Sequence, residues 1–180
     1  MSKVTVISTS LRAGSNTDRL ADSLILGARE AGHEVEKISL KGKKIAYCMG
    51  CLACQQRGEC VIRDDAVGIA QSVLGSDAVV FVTPIYYYEM SGQMKTLIDR
   101  MNSLYSSDYR FRRVYLLTAA AEDEPGTDSR AVSGLQGWVD CFEKAELAGT
   151  LFCGGLGGPN EAAESKAALD AAYEFGKSIE

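Results

Sequence analysis

Five consecutive apolar residues, Ala78-Val79-Val80-Phe81-Val82, stand between Ser76-Asp77 and Thr83-Pro84. A strand made of them presents apolar side chains to both faces of its sheet, which suits a parallel sheet covered on both sides by helices. The rest of the chain alternates in the matching way. Val4 to Ile7 reads as a first strand, and Leu20, Leu24, Ile25 and Ala28 share one face of a helix that Gly32 can end. Val35 to Leu40 is a weaker, partly exposed strand, and Val67, Ala70 and Leu74 form a second helical stripe. Met94, Leu97, Ile98 and Met101 fall at i, i+3, i+4 and i+7, predicting a helix that starts near Ser91. Val114 to Leu117, the stripe Val132, Leu135, Val139 and Phe142, the strand Leu147 to Phe152, and a last helix bearing Leu169, Ala172, Tyr173 and Ile179 complete the series.

Strands alternating with helical crossovers predict an α/β protein: a three-layer α/β/α sandwich around a five-stranded parallel sheet in the order 2-1-3-4-5. No repeat or linker divides the chain, so residues 1–180 are expected to form a single domain. Such sheets bind ligands beyond the carboxyl ends of their strands, where strand order reverses.

Charge narrows the ligands. With 19 basic and 24 acidic residues and a net charge of -5, the surface repels a polyphosphate backbone, so no nucleic acid is expected. The longest apolar runs fall far short of the ~20 residues of a membrane helix. Met1-Ser2-Lys3 leads directly into the first strand, so no membrane partner and a cytoplasmic location are expected.

The loop after the first strand reads Ser8-Thr9-Ser10-Leu11-Arg12-Ala13-Gly14-Ser15-Asn16-Thr17. Its single glycine excludes the G-x-G-x-x-G fingerprint of dinucleotide folds. Short hydroxyl and amide side chains run instead into a helix N-terminus, where unpaired N–H groups and the helix dipole favour an anion. Ser10, Ser15, Thr17 and the Asn16 amide can surround a monophosphate, with Arg12 adding a countercharge. A plain capping box, Ser15-x-x-Asp18, accounts for two of these residues and leaves Ser8 to Ser10 without a role. After the central strand comes Thr83-Pro84-Ile85-Tyr86-Tyr87-Tyr88-Glu89-Met90-Ser91-Gly92. Three successive tyrosines at a strand end cannot all point inward, so part of the run faces the crevice, and a flat heteroaromatic ligand suits it.

In order and spacing these two segments resemble the flavodoxin-like NAD(P)H-dependent FMN reductase family. The matching stretches are Thr9-Ser10-Leu11-Arg12-Ala13-Gly14-Ser15-Asn16-Thr17 and Thr83-Pro84-Ile85-Tyr86 through Gly92-Gln93-Met94-Lys95 to Asp99-Arg100. Thr9 departs from the glycine usual there. The resemblance implies FMN, with its phosphate on Ser10, Ser15, Asn16 and Thr17 and its ring against Thr83, Pro84, Ile85, Tyr86, Tyr87 and Tyr88. Ala119 and Ala120, with the residues up to Glu122, would line the ring's other edge. It further implies a nicotinamide nucleotide as electron donor and a homodimer or homotetramer as the assembly.

Cys48, Cys51, Cys54 and Cys60 are spaced C-x2-C-x2-C-x5-C. Thiolates this close on a glycine-bearing loop can converge on zinc or an iron-sulfur cluster. The run resembles that of the iron-sulfur flavoproteins, a branch of the same fold in which a [4Fe-4S] cluster lies near FMN. Reduced thiols or a disulfide pair, ahead of Asp64-Asp65, are equally compatible with the spacing.

Other residues carry less. His33 follows Gly32 at a helix end and reads as a turn residue. Arg110, Arg112 and Arg113 could hold a nucleotide phosphate, although a solvated loop or subunit contact explains them too. Cys141 and Cys153 read as buried packing, and Trp138 as an interface residue. No nucleophile, triad or acid/base pair is visible, as expected where a cofactor performs the chemistry. The leading expectation is an NAD(P)H:FMN oxidoreductase delivering electrons to flavin, quinone or another small acceptor. An iron-sulfur electron carrier with a protein redox partner is the second reading, and a zinc-stabilised contact domain the third.

Overall fold

A computed structural model describes all of residues 1–180. Its elements run β1 (Lys3–Ser8), α1 (Asn16–Glu30), β2 (Glu34–Ser39), α2 (Ala53–Arg57), α3 (Asp65–Leu74), β3 (Ala78–Tyr86), β4 (Glu89–Met90) and α4 (Gly92–Arg100). A 3-10 turn at Met101–Leu104 follows, then β5 (Arg113–Ala119), α5 (Ser129–Val139), β6 (Glu146–Cys153), α6 (Glu161–Glu164) and α7 (Lys166–Lys177). The parallel strands lie in the order β2-β1-β3-β5-β6, the topology expected from the sequence. One strand was not expected: β4 folds back antiparallel on the end of β3, pairing Ile85 with Met90 and Tyr86 with Glu89.

Alternate residues of the central strands fill two cores. Val79 and Phe81 of β3 and Val114 and Leu116 of β5 meet Ile69, Val73, Met94, Leu97 and Leu135 of α3, α4 and α5. On the opposite face Val4, Val6, Val80, Val82 and Leu117 meet Leu20, Leu24 and Ala28 of α1 and Ala172 of α7. The uninterrupted apolar run of β3 therefore serves both layers. Trp138 belongs here rather than at an interface: its ring lies 5.9 Å from Phe111 in a stacked arrangement and 5.5 Å edge-on from Phe81. Cys153 is buried as expected, whereas Cys141, in the turn beyond α5, is exposed. His33 bonds through Nε2 to the Ile179 carbonyl at 2.9 Å, a turn residue as read.

The helices α1 and α7 touch backbone to backbone. A Cβ on Gly27 would sit 2.0 Å from the Tyr173 carbonyl oxygen, and one on Gly176 would sit 2.0 Å from that of Leu24. Neither obstacle is a flexible side-chain tip, so the helices would have to part. Gly176→Ala is expected to lower unfolding free energy in urea by about 3 kcal/mol, the upper end of overpacking costs. A loss under about 1 kcal/mol would mean that the helices separate freely.

Candidate functional site: a cleft at the strand-order reversal

From β1 the chain passes outward to β2 and then returns across β1 to β3, so the sheet's direction reverses between β1 and β3. A cleft of about 170 Å³ opens there beyond the carboxyl ends of the strands. The first loop contributes Ser10, Arg12, Ser15, Asn16 and Thr17, the segment after β3 contributes Pro84, Ile85 and Tyr86, and β5 ends in Ala119 and Ala120. These residues, distant in sequence, are brought to one place as the spacing predicts.

Ser15 is the N-cap of α1, its Oγ accepting from the Asp18 amide at 3.1 Å and lying 3.1 Å from Thr17 Oγ1. The amides of Asn16 and Thr17, in the first turn of a 15-residue helix, have no acceptor within it and can donate into the cleft. The Asn16 side chain is committed elsewhere. Its Nδ2 donates to the carbonyls of Leu156 at 3.0 Å and Gly158 at 2.8 Å, and its Oδ1 accepts from the Ala162 amide at 3.0 Å. Arg12 does similar work, donating to the carbonyls of Gly157 at 2.9 Å and Gly158 at 3.1 Å. Both side chains thus pin the loop between β6 and α6, whose Leu156 and Gly157 form a wall of the cleft that sequence reasoning missed. The signal was present in Gly154-Gly155-Leu156-Gly157-Gly158, a strand-to-helix loop at the sheet end where ligands bind.

Thr83 does not reach the cleft. Its side chain is fully buried, with Oγ1 donating to Ser91 Oγ at 3.1 Å and accepting from the Ser91 amide at 3.1 Å. Ser91, the N-cap of α4, also lies 3.1 Å from Thr9 Oγ1, and the Thr9 hydroxyl donates to the Val82 carbonyl at 3.0 Å. Thr9 therefore stands in the glycine's place as a tie between β1, β3 and α4. A β-branched threonine is too stiff for a turn-former and well suited to this role.

Tyr86 lines the cleft, but Tyr87 and Tyr88 occupy the two-residue turn between β3 and β4, with φ of +51° and +66°. Both are left-handed, the geometry of a type I′ hairpin that ordinarily takes Asn-Gly. Tyr87 is 97% exposed, and no core contact repays its backbone strain. Tyr87→Gly is expected to raise stability by about 1 kcal/mol, the left-handed penalty of one L-residue, as read by the urea midpoint. A loss would show that the ring makes a stabilising contact. Tyr88 lines an adjoining cleft of about 190 Å³, and its hydroxyl donates to Glu122 Oε1 at 3.0 Å. That bond and the Glu122 charge hold the phenol protonated above its usual range. The arginines at 110, 112 and 113 lie at the other end of the sheet and are engaged. Arg110 pairs with Asp77 at 2.5 Å, Arg113 with Glu146 and Glu180, and Arg112 donates to main-chain carbonyls.

The cysteine segment is anchored at both feet by one residue. Arg100, its side chain fully buried, donates to both carboxylate oxygens of Asp64 (2.6 and 2.9 Å), to the Ala46 carbonyl (2.8 Å) and to the Ile62 carbonyl (3.0 Å). Burial pushes the Asp64 carboxyl up. Hydrogen bonds from Arg100 and the Ala46 and Ala66 amides outweigh this and hold it below its usual range. Between these feet the four thiols do not converge: no three His, Cys, Asp or Glu side chains form a group that could hold a metal ion. Cys54 is turned inward on the short helix α2 with Asn102 Nδ2 at 3.4 Å, Cys60 lies against Arg100, and Cys48 and Cys51 are exposed. The donor set has the number and softness a cluster requires, and because the four thiols stand apart as folded, holding one requires the loop to draw Cys48, Cys51 and Cys60 toward Cys54. Cys153, near the cleft, is pushed up to about 11 by burial and stays a neutral thiol.

A parallel sheet in the order β2-β1-β3-β5-β6, covered by helices on both faces and with a cleft at its strand-order reversal, is the flavodoxin-like fold. Residues 2–134 match the NADPH-dependent FMN reductase family, and the chain belongs to that family. An iron-sulfur flavoprotein of Archaeoglobus fulgidus is 43% identical over 90 residues, half of this chain and 41% of that one. The match therefore spans less than half of that relative's length. An iron-sulfur flavoprotein of Methanosarcina thermophila is 24% identical over 155 residues, covering 86% of this chain and 81% of the other. Among solved structures, an NAD(P)H:quinone oxidoreductase from Methanothermobacter marburgensis superposes with a TM-score of 0.76 at 17% identity, covering 99% of this chain and 96% of its own. No helix is long and apolar enough to cross a membrane.

Proposed function

We propose that the chain is an FMN-dependent oxidoreductase that takes electrons from NAD(P)H and passes them to flavin, quinone or another small acceptor. The observation that carries this is the convergence of the α1 N-terminus, the Ser10, Ser15 and Thr17 hydroxyls and the Tyr86 segment on one cleft. The FMN phosphate would accept from those hydroxyls and from the Asn16 and Thr17 amides. Arg12 would contribute charge from the rim, and Asn16 would act by holding the Leu156–Gly158 wall. Pro84, Ile85, Tyr86, Ala119 and Ala120 would border the ring, with Tyr87, Tyr88 and Glu122 at its outer edge. When bound, FMN supplies hydride acceptance and electron release, which leaves the protein to bind, orient and shield. A cytoplasmic location and a homodimer or homotetramer belong to the same reading. Titration of the purified protein with FMN should quench flavin fluorescence at one equivalent, and the loaded protein should oxidise NADH or NADPH with a quinone present. Folded protein that leaves FMN fluorescence unchanged would overturn the proposal.

A second reading is favoured by the cysteine spacing and by the iron-sulfur flavoproteins among the relatives: an electron carrier holding a [4Fe-4S] cluster on Cys48, Cys51, Cys54 and Cys60. Iron and sulfide assayed in anaerobically prepared protein decide it. About four of each per chain is the expected stoichiometry, and none would remove the cluster.

A further inference from the structure

Away from the flavin cleft, a second cavity of about 420 Å³ lies between the cysteine segment and the helices α4 and α5. Its aromatic surfaces come from Tyr105, Trp138 and Phe142, its aliphatic ones from Leu52, Ile98 and Met101. The volume lies in the range of small-molecule sites, roughly 300 to 1,000 Å³. Its chemistry is selective. No lysine or arginine lines it, and the one carboxylate there, Asp99, is paired with Lys95 (Nζ to Oδ1 2.6 Å), so an anion finds no free cation and an apolar wall. Polar capacity is confined to Asp99, the Asn102 amide and the Cys48 and Cys141 thiols. On the rim, Leu52 and Tyr105 are 56% and 57% exposed, apolar surface that a ligand seated in the cavity would cover. Leu52 is also held outward by a left-handed backbone (φ +56°), which nothing in the core repays.

We propose that this cavity is a binding site for an uncharged, planar apolar ring compound, separate from the mononucleotide cleft. The aromatic walls offer stacking faces, and a phosphorylated nucleotide such as the nicotinamide donor would have to desolvate its charge where no unpaired cation receives it. A flat electron acceptor of quinone type has the required chemistry.

The chain has one tryptophan, and it lines this cavity, so the test has a built-in probe. Apoprotein and FMN-saturated protein are each titrated with N-phenyl-1-naphthylamine, a neutral planar fluorophore, and with its sulfonated analogue, reading energy transfer from Trp138. Saturable transfer to the neutral probe is expected, with affinity at least about tenfold above that for the sulfonate. Asp99→Asn should narrow that preference. Cys141→Phe, a change at an exposed position that fills the cavity, should weaken the neutral probe at least about tenfold while flavin fluorescence reports unchanged FMN binding. Displacement of the probe by FMN would place it in the flavin cleft and overturn the proposal. So would equal affinity for both probes, or indifference to Cys141→Phe. Failure to bind FMN tests the proposed function and leaves this reading intact, because probe transfer is measured separately on the apoprotein.

Discussion

Ser15→Asp is expected to abolish FMN binding while leaving the fold and riboflavin binding in place. Aspartate is as good an N-cap as serine, so the bond to the Asp18 amide and the helix start survive. What changes is one negative charge at the mouth of the anion cradle. Two like charges about 4 Å apart at an effective dielectric near 20 repel by about 4 kcal/mol, roughly a thousandfold in affinity. Riboflavin, lacking the phosphate, should bind the variant and the parent protein alike, and thermal melting should shift little. An unchanged FMN affinity would place the phosphate elsewhere and remove the central assignment.

The second large effect concerns stability. Arg100→Met removes the guanidinium that neutralises Asp64 and closes the Ala46 and Ile62 carbonyls, leaving a partly buried carboxylate with two amide partners only. Breaking one side of such a pair costs about 3–5 kcal/mol, which urea unfolding would read. The pH dependence has a definite sign. Because the folded-state pKa of Asp64 is depressed, its contribution is present above the unfolded value near 3.9 and disappears as pH falls through the lower folded value. Parent protein should therefore lose this stability below about pH 4, and the variant should show a shallower acid limb. Protease cleavage between Tyr47 and Arg63 should accelerate as well, since both feet of that segment are released. Stability within about 1 kcal/mol of the parent would show that the pair does not hold the segment.

Much of this architecture was legible from residue pattern alone. The both-face apolar run at Ala78–Val82, the Met94-to-Met101 stripe and the Gly32 stop each reflect a local preference that agrees with its tertiary setting, so reading them in isolation succeeded. Where local preference and tertiary demand part, the sequence misleads. Tyr87-Tyr88 lacks any turn former, so the β3–β4 hairpin carries no sequence signature, and its ladder with Glu89 and Met90 shows only in three dimensions. Asn16 and Arg12 look like anion donors because their type and position suit an anion. That their polar atoms face Leu156, Gly157 and Gly158 instead depends on a contact across 140 residues or more, to which spacing is blind. Thr83 was misplaced for the opposite reason: its motif position is right, but strand alternation turns the hydroxyl inward to Ser91. The cysteine spacing suits a metal, and the positions of the four thiols relative to one another are set by loop geometry that spacing does not give.

The clamps from Arg12 and Asn16 onto residues 156–158 have a further consequence for how the protein can be divided. Residues 2–134, the span shared with the family, contain both segments that carry the family resemblance, yet the cleft's rear wall and the partners of Arg12 and Asn16 lie beyond that span, at residues 156–158. A fragment trimmed to that span would keep its signatures and lose its grip. A chain emerging from the ribosome must therefore extend past Gly158 before this wall can close the cleft.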